Sequence, residues 1–131
     1  FNESESHLFV TYDIAKYLLN KNVEAKLYVT KKPDVVFEIG GKRIAVEVET
    51  GSQTGKAVRL KEKVKLLNKN YDGWFFVVTN RNYASNYRKY GKVIEMRYLK
   101  KTLDKLVKNG QSKNKEKSTF SRRKDIKEKA K

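Results

Sequence analysis

Three acidic residues around a glycine turn are best placed in this sequence to carry out chemistry. Asp34 precedes the turn, and Glu47 and Glu49 follow it. Gly40-Gly41 is typical of a two-residue hairpin turn. Counting outward from it along both strands places Asp34 opposite Glu47, with Glu49 one step beyond on the same face of the sheet. We therefore predict three carboxylates at one end of one hairpin.

Such a cluster is unfavourable unless something compensates its charge. Side chains that face each other in a hairpin have Cβ atoms about 4.5–5.5 Å apart, and like charges there destabilise the sheet. A divalent cation removes the repulsion, and a site of carboxylate oxygens suits Mg²⁺ or Mn²⁺. The alternative is that Glu47 and Glu49 lie on the solvated face of an ordinary hairpin. Their place opposite a Pro33-Asp34 strand start, in a basic chain, favours the metal site.

Hydrophobic periodicity predicts the elements that position these residues. Helices are predicted over 4–20, 56–69, 82–90 and 100–108, and strands over 23–30, 34–39, 43–49, 74–79 and 93–98. The run WFFVVT at 74–79 suits a central strand buried on both faces. The order predicts an α/β domain around a mixed sheet.

The helices are expected to bury one face each. In the first helix the inward stripe is predicted to be Leu8, Tyr12, Ala15, Leu18 and Leu19. In the second long helix it is predicted to be Ala57, Leu60, Val64 and Leu67.

Composition bounds the class of protein. The chain has 131 residues, 38% of them hydrophobic, and a net charge of +16, which suits one globular domain that attracts polyanions, most simply nucleic acid. A basic amphipathic helix with a bulky apolar face would favour binding to a membrane surface, and the sequence predicts no such helix. With no Cys and one His, thiolate and His-rich zinc sites are excluded. Without an apolar spanning run or a secretory signal, we expect a soluble, cytoplasmic protein.

The two ends of the chain carry separate expectations. The chain starts at Phe1 and not at Met, which suggests a processed chain or a domain of a larger protein. A globular domain is expected over 1–109, and a basic tail over 110–131 that includes Arg122, Arg123 and Lys124. The tail is either a solvated segment or an arm that lies along phosphate backbones, and both descriptions can hold.

The stretch KPDVVFEIGGKRIAVEVETG, from Lys32 to Gly51, resembles the PD-(D/E)XK nuclease superfamily. That superfamily has Pro-Asp entering one strand, a turn, and Glu-x-Lys on the next strand. Its core order matches residues 4–79, and the resemblance implies a restriction-endonuclease-like fold, αβββαβ, with a mixed central sheet flanked by helices. The EVETG stretch and the helical lysines look most like nuclease-like domains of mobile-element, relaxase and resolvase proteins.

The resemblance also implies a metal centre. Asp34 and Glu47 would be ligands of Mg²⁺ or Mn²⁺, and the carbonyl of Val48 would complete the inner shell. Metal-bound water would attack a phosphodiester in line. Some members use a glutamate of the first helix as a further ligand, for which Glu5 is the best match. The alternative for Glu5 is a capping-box role with Asn2.

The sequence departs from the family at one position, because Glu49 stands where the family has lysine. A lysine there would orient water and offset developing negative charge. In related sequences this lysine can migrate to the following helix, where Lys63 fits best and Lys56 second. Both are otherwise ordinary surface lysines. If neither reaches the site, the fold would only bind DNA.

Weaker candidates surround this centre. His7 could touch substrate or simply flank the first helix, and Gln53 could contact a phosphate or belong to a plain loop. Basic and aromatic residues interleave after the central strand, as on nucleic-acid surfaces, although the tyrosines could equally belong to the core. The residues expected to bind nucleic acid are Lys56, Gln53, Arg81, Arg88, Arg122, Arg123 and Lys124, and the interleaved tyrosines are Tyr83, Tyr87 and Tyr90.

Three functions remain open from the sequence. The first is a Mg²⁺- or Mn²⁺-dependent DNA endonuclease in DNA processing, recombination or mobile-element transfer. The second is a catalytically inactive nuclease fold that binds DNA, and the third is a basic RNA-binding protein in which the carboxylates are accidental. A homodimer is possible for a nuclease, because two sites cut two strands, but the sequence shows no interface.

Overall fold

A five-stranded mixed sheet with helices against both faces forms the architecture of this computed structural model, which describes residues 3–28 and 33–111. The helices are α1 (Glu3–Asn20), α2 (Ala57–Asn70), α3 (Ala84–Arg88) and α4 (99–111), and the strands are β1 (Ala25–Leu27), β2 (Val35–Ile39), β3 (Lys42–Glu49), β4 (Gly73–Val78) and β5 (Val93–Glu95). The strands lie side by side in chain order. β1, β2 and β3 pair antiparallel, whereas β4 and β5 continue the sheet parallel to β3.

The predicted hairpin is present in the predicted register. Gly40 and Gly41 have φ of 60° and 77°, which two-residue hairpin turns of this kind require. From Ile39 opposite Lys42, the pairing of β2 with β3 runs residue by residue to Val35 opposite Val46. Turn geometry fixes register, and so it also fixes which side chains share a face.

The sheet separates two hydrophobic clusters. The larger one contains side chains of α1 and α4 packed on β2, β3 and β4, among them Val10, Ile14, Phe37, Val77 and Leu103. The smaller one joins α2 and α3 to the opposite face through Leu60, Phe76, Val78 and Tyr87. Since β4 is buried on both faces over 75–78, the prediction of a central strand is confirmed.

The predicted inward stripe of α1 is wrong. Val10, Ile14 and Leu18 are buried, whereas Leu8 is 53% exposed and Tyr12 is 59% exposed. The helix has two apolar stripes, the predicted one and the buried one, and Leu18 belongs to both. Periodicity therefore predicts a helix correctly but cannot select the stripe that meets the sheet. In α2 the buried positions are Leu60 and Leu67, Val64 is half-buried, and the predicted inward residue Ala57 is exposed.

Two other predicted boundaries shift. β5 ends at Glu95, and the predicted strand residues 96–98 instead form a 3₁₀ turn, because β5 pairs only with the last three residues of β4. The last described helix runs to 111, beyond its predicted end at 108. Near its end Gly110, which has no side chain, packs closely on Ile39 and Gly40.

Some predictions fall on other parts of the chain. The predicted end of the first strand at 29–30, and the basic tail with Arg122, Arg123 and Lys124, lie outside the described residues. Within 3–28 and 33–111, no helix has the length and apolar character needed to cross a membrane.

Candidate active site

Two carboxylates are buried at the carboxyl end of β3. Glu47 is 6% exposed and Glu49 is 4% exposed. By the alternation of the strand they share one face with Ala45, the face that α2 covers. Val46 and Val48 lie on the opposite face of β3 and belong to the larger hydrophobic cluster, the one that contains α1 and α4. The two glutamates therefore do not lie on the solvated face of an ordinary hairpin.

One ammonium group serves both glutamates. Lys63 of α2 places Nζ 3.1 Å from Oε2 of Glu47 and 3.2 Å from Oε1 of Glu49. The lysine follows Leu60 by almost one helical turn, and buried Leu60 holds this side of α2 against the sheet. Lys56, the second lysine candidate, is exposed at the start of α2. The structure thus brings Lys63, and not Lys56, to the carboxylates.

Asp34 joins the cluster from the start of β2. Its Oδ2 accepts a hydrogen bond from the backbone N–H of Val48 at 2.8 Å, and its Oδ1 lies 2.9 Å from Nε2 of His7. In a strand the N–H and C=O of one residue point to the same side, so the carbonyl of Val48 also faces the β2 side of β3. Four segments therefore converge here: α1, the start of β2, the end of β3, and α2.

Tyr87 closes the buried side of the site. Its hydroxyl donates to Oε2 of Glu49 at 3.4 Å, and its ring packs on Phe76 with centroids 5.3 Å apart. Burial, together with the neighbouring carboxylate of Glu49, raises the pKa of Tyr87 to about 12. Because it stays protonated, the hydroxyl acts as a donor and holds Glu49 in place. Of the two alternatives for Tyr87, the structure shows the core position.

The charges of the cluster do not balance. Burial raises the pKa of Glu47 from its ordinary value of 4.5 to about 7, and this effect outweighs the attraction of Lys63. Burial also raises the pKa of Glu49. For Lys63, burial lowers the pKa, but the two glutamates outweigh it and the net shift is upward. One protonated lysine thus neutralises one of two buried carboxylates, with Asp34 adjacent.

The carboxylates of the cluster also shift the pKa of His7. Its hydrogen bond to Asp34 raises the pKa of the imidazole above 6.5, against the opposing effect of burial. The charges of Glu49 and Glu47 add to the increase. The histidine is therefore part of the cluster and does not merely flank the first helix.

The raised pKa of Glu47 predicts how stability depends on pH. Because the folded carboxyl binds its proton more tightly than the unfolded one, the free energy of unfolding should fall as pH rises from 4.5 to about 7. Glu47→Gln, which mimics the protonated acid, should be more stable than the wild type at pH 8 by about 3 kcal/mol and equally stable near pH 4. Urea unfolding at both pH values measures this difference.

Glu38→Gln is the matched control, since Glu38 is an exposed carboxylate of the same hairpin. It should track the wild type at both pH values. Glu49 and His7 titrate in the same direction as Glu47, so the fall in stability of the wild type includes all three groups. The comparison with Glu47→Gln gives the part of that fall that depends on the charge of Glu47. Equal stability of wild type and Glu47→Gln at pH 8 would show that the Glu47 carboxylate carries no burial penalty.

A cleft opens beside the cluster. Its volume is about 430 Å³, and Asp34, Glu47 and Lys63 lie at one end of it. Lys63 is about one-third exposed, so its ammonium reaches both the carboxylates and the cleft. A larger cavity of about 750 Å³ lies beside β1 and β2 and contains none of the cluster residues.

The other predicted site residues lie elsewhere. Glu5 is exposed and, two residues from His7, points about 200° away around α1, so α1 presents His7 and not Glu5 toward Asp34. Gln53 is half-buried in the loop after β3, where its backbone N–H bonds to the Tyr87 hydroxyl. Arg88 pairs with Glu95 at 3.4 Å, and Arg81 is exposed.

His7 and Tyr87 contact the carboxylates more directly than their sequence positions predict. A stronger signal for His7 was available, because it is the only histidine of the chain and lies in the helix before the acidic hairpin. Tyr87 gave no such signal, since its contact with Glu49 joins residues 38 positions apart.

Side chains alone do not form a ready metal site in the described part of the chain: no three His, Asp or Glu residues there are grouped so that they could hold an ion. The centre expected from the sequence uses two carboxylates and a backbone carbonyl, which is a different set. Comparison of the chain with protein-family models, curated proteins and solved structures gives no match. Function is therefore inferred from the geometry of this cluster.

Proposed function

We propose that this protein is a metal-dependent DNA nuclease of the PD-(D/E)XK type, with the restriction-endonuclease-like core that the order of α1 to β4 suggests. One observation carries the proposal. Two buried carboxylates, Glu47 and Glu49, share a single ammonium beside a third carboxylate, Asp34, at the end of a cleft.

Stability alone does not explain this arrangement. Removing an ion from water costs several kcal/mol, and a buried pair recovers that cost only when its charges and hydrogen bonds are fully matched. Here the pKa of Glu47 is raised to about 7, so burial is not fully compensated. Strongly perturbed carboxyls that line a cleft are typical of functional sites.

The residues present suit a hard divalent cation. Asp34, Glu47 and the carbonyl of Val48 offer only oxygen atoms, the donors that Mg²⁺ and Mn²⁺ prefer. These groups would hold the ion, and Lys63 would release Glu47 to it while keeping Glu49. When bound, the ion supplies Lewis-acid activation of water and neutralises phosphate charge.

The remaining residues have separate roles in this proposal. Lys63 has three N–H donors, of which two contact Glu47 and Glu49 in the structure. Once Glu47 is released to the cation, the donors that do not hold Glu49 are available for a phosphate oxygen or a water in the cleft. Glu49 and Tyr87 hold that lysine in position and are positioning residues. His7 fixes the orientation of the Asp34 carboxylate.

DNA is proposed as the substrate because of charge. A net charge of +16 favours binding to phosphate backbones, with an affinity that falls steeply with salt. The acidic cluster is the exception in this basic chain, as expected where a cation mediates the contact between carboxylates and phosphate. We propose a role in DNA processing, recombination or mobile-element transfer, in line with the resemblance of residues 32–51.

Cleavage of supercoiled plasmid tests the proposal. Purified protein with Mn²⁺ or Mg²⁺ should produce nicked or linear DNA, and EDTA should prevent it. Single-stranded DNA, branched DNA and structured RNA are tested alongside. No cleavage of any DNA form in either metal would remove the enzyme from the proposal, and cleavage or binding restricted to structured RNA would overturn the choice of DNA.

A silent DNA-binding module is the second candidate. The observation in its favour is that Lys63 already lies between both glutamates, where a cation that binds Glu47 would have to displace its ammonium. DNA binding with a steep salt dependence, no dependence on metal and no cleavage would support this candidate.

A further inference from the structure

The end of the 430 Å³ cleft away from the acidic cluster has a different character. There the wall consists of aromatic, apolar and amide side chains with one arginine. These residues are Arg43, Leu66, Asn70 and Tyr71. Leu66 is 57% exposed, so the wall includes an apolar group that the fold itself does not bury.

Arg43 and Tyr71 form a stacked pair in this wall. The guanidinium carbon lies 5.0 Å from the centre of the tyrosine ring. Two hydrogen bonds to Asp72 hold the backbone of Arg43. The N–H of Arg43 donates to Oδ2 of Asp72 at 2.8 Å, and the carbonyl of Arg43 accepts from the N–H of Asp72 at 2.9 Å. The N–H of Tyr71 bonds to Leu67 at the end of α2, so both partners stand on fixed backbone.

The charge of Arg43 is not used by a carboxylate of the described residues. Glu38 lies directly opposite Arg43 in the hairpin, but the two make no ion pair within 3–28 and 33–111. The guanidinium instead lies over Tyr71, in the cleft wall.

The stacked pair is at a useful distance from the acidic cluster. Arg43 and Glu47 share one face of β3 and are four residues apart, a separation of about 13 Å along the strand. The cleft spans both groups. A nucleic-acid strand with one phosphate beside Glu47 and Lys63 would therefore place a neighbouring nucleotide at Arg43 and Tyr71.

The wall suits a nucleobase. A base has two flat faces that stack on aromatic rings and arginine planes, and an edge that exchanges hydrogen bonds with an amide. Tyr71 and Arg43 offer the planar groups, and Asn70 offers both a donor and an acceptor. We propose that this end of the cleft, the base pocket, holds an unpaired base next to the phosphate that is cleaved, so that the substrate is single-stranded or locally unpaired DNA.

Stacking sets the preference for an unpaired base. In a duplex the neighbouring bases cover both flat faces of each base, so a base can stack on Arg43 and Tyr71 only after it leaves the duplex stack. The whole cleft, of about 430 Å³, lies within the range of small-ligand pockets, about 300 to 1,000 Å³. This inference rests on the proposed function for the identity of the polymer, but not for the base contact.

Binding without metal tests the base pocket. Fluorescence anisotropy in EDTA compares three labelled probes of equal length: single-stranded oligothymidylate, an abasic strand with the same phosphates, and a duplex. The wild type should bind the base-bearing strand about tenfold more tightly than the abasic strand. Tyr71→Leu should bind both strands equally, and its affinity for the duplex should not change.

Tyr98→Leu is the matched control. Tyr98 stacks with Arg97 at 4.8 Å and is exposed, but it does not line the cleft. This variant should keep the preference for the base-bearing strand over the abasic strand.

Arg43→Gln is a second test of the base pocket. It keeps the backbone hydrogen bonds to Asp72 and should reduce the preference for the base-bearing strand, so the test does not depend on Tyr71→Leu folding normally. Wild type that binds both strands equally, or Tyr71→Leu that keeps the preference, would overturn the base pocket.

The outcomes separate this inference from the nuclease proposal. A base preference that depends on Tyr71, in a protein that never cleaves DNA, would uphold the base pocket and remove only the enzyme. Metal-dependent cleavage without any base preference would uphold the nuclease and remove only the base pocket.

Discussion

Asp34→Asn and Glu47→Gln should each lower metal-dependent DNA cleavage by at least about 10³-fold without weakening DNA binding. Each substitution keeps the size of the side chain and removes one anionic ligand of the proposed cation. The cation supplies several kcal/mol of transition-state stabilisation, and each 1.36 kcal/mol is tenfold in rate. DNA affinity depends on the basic surface, so removing a negative charge should not reduce it.

Initial rates of plasmid nicking, together with anisotropy in EDTA, measure the two properties separately. Glu38→Gln is the matched control, because it removes an exposed carboxylate from the same hairpin and should cleave at the wild-type rate. Normal cleavage by Asp34→Asn or Glu47→Gln would remove that residue from the site. A loss of DNA binding equal to the loss of cleavage would indicate a damaged fold.

Lys63→Met should lower the cleavage rate by about 10²–10³-fold, the usual effect of removing one donor that stabilises developing negative charge. In the structure Nζ of Lys63 lies within 3.2 Å of both glutamates and the side chain reaches the cleft. Without its ammonium, Glu47 and Glu49 keep their burial and lose their counter-charge, so the optimum for metal binding should also move to higher pH.

Lys65→Met is the control for this variant, since Lys65 is exposed on the same helix. It should cleave like the wild type. Lys63→Arg should recover part of the activity, because guanidinium keeps the charge but not the geometry of an ammonium donor. Full activity in Lys63→Met would assign the lysine to charge balance alone and would leave the phosphate without a protein donor at this position.

The hairpin was predictable because its geometry is local. Gly40-Gly41 fixes the turn, the turn fixes the register, and the register places Asp34, Glu47 and Glu49 at one end of the sheet. The WFFVVT run was equally informative, since a strand that is apolar throughout must be buried on both faces. These features depend on neighbours in the sequence.

The rest depends on packing between distant segments. The pattern of α1 allows two apolar stripes, and only the sheet determines that Val10 and Ile14 are buried. The contact of His7 with Asp34 joins two elements whose relative position no local pattern contains. Lys63 could be proposed from helical spacing, but that it bridges two carboxylates depends on how α2 crosses β3.

A crystal soaked in Mn²⁺ and measured for anomalous scattering tests the central claim most directly. We expect one strong peak within coordination distance of carboxylate oxygens of Asp34 and Glu47 and of the Val48 carbonyl oxygen, with Nζ of Lys63 displaced from Glu47. The same soak of Asp34→Asn should show no peak. Wild-type crystals in which Lys63 still bridges Glu47 and Glu49, with no manganese between Asp34 and Glu47, would contradict the metal centre and the nuclease built on it.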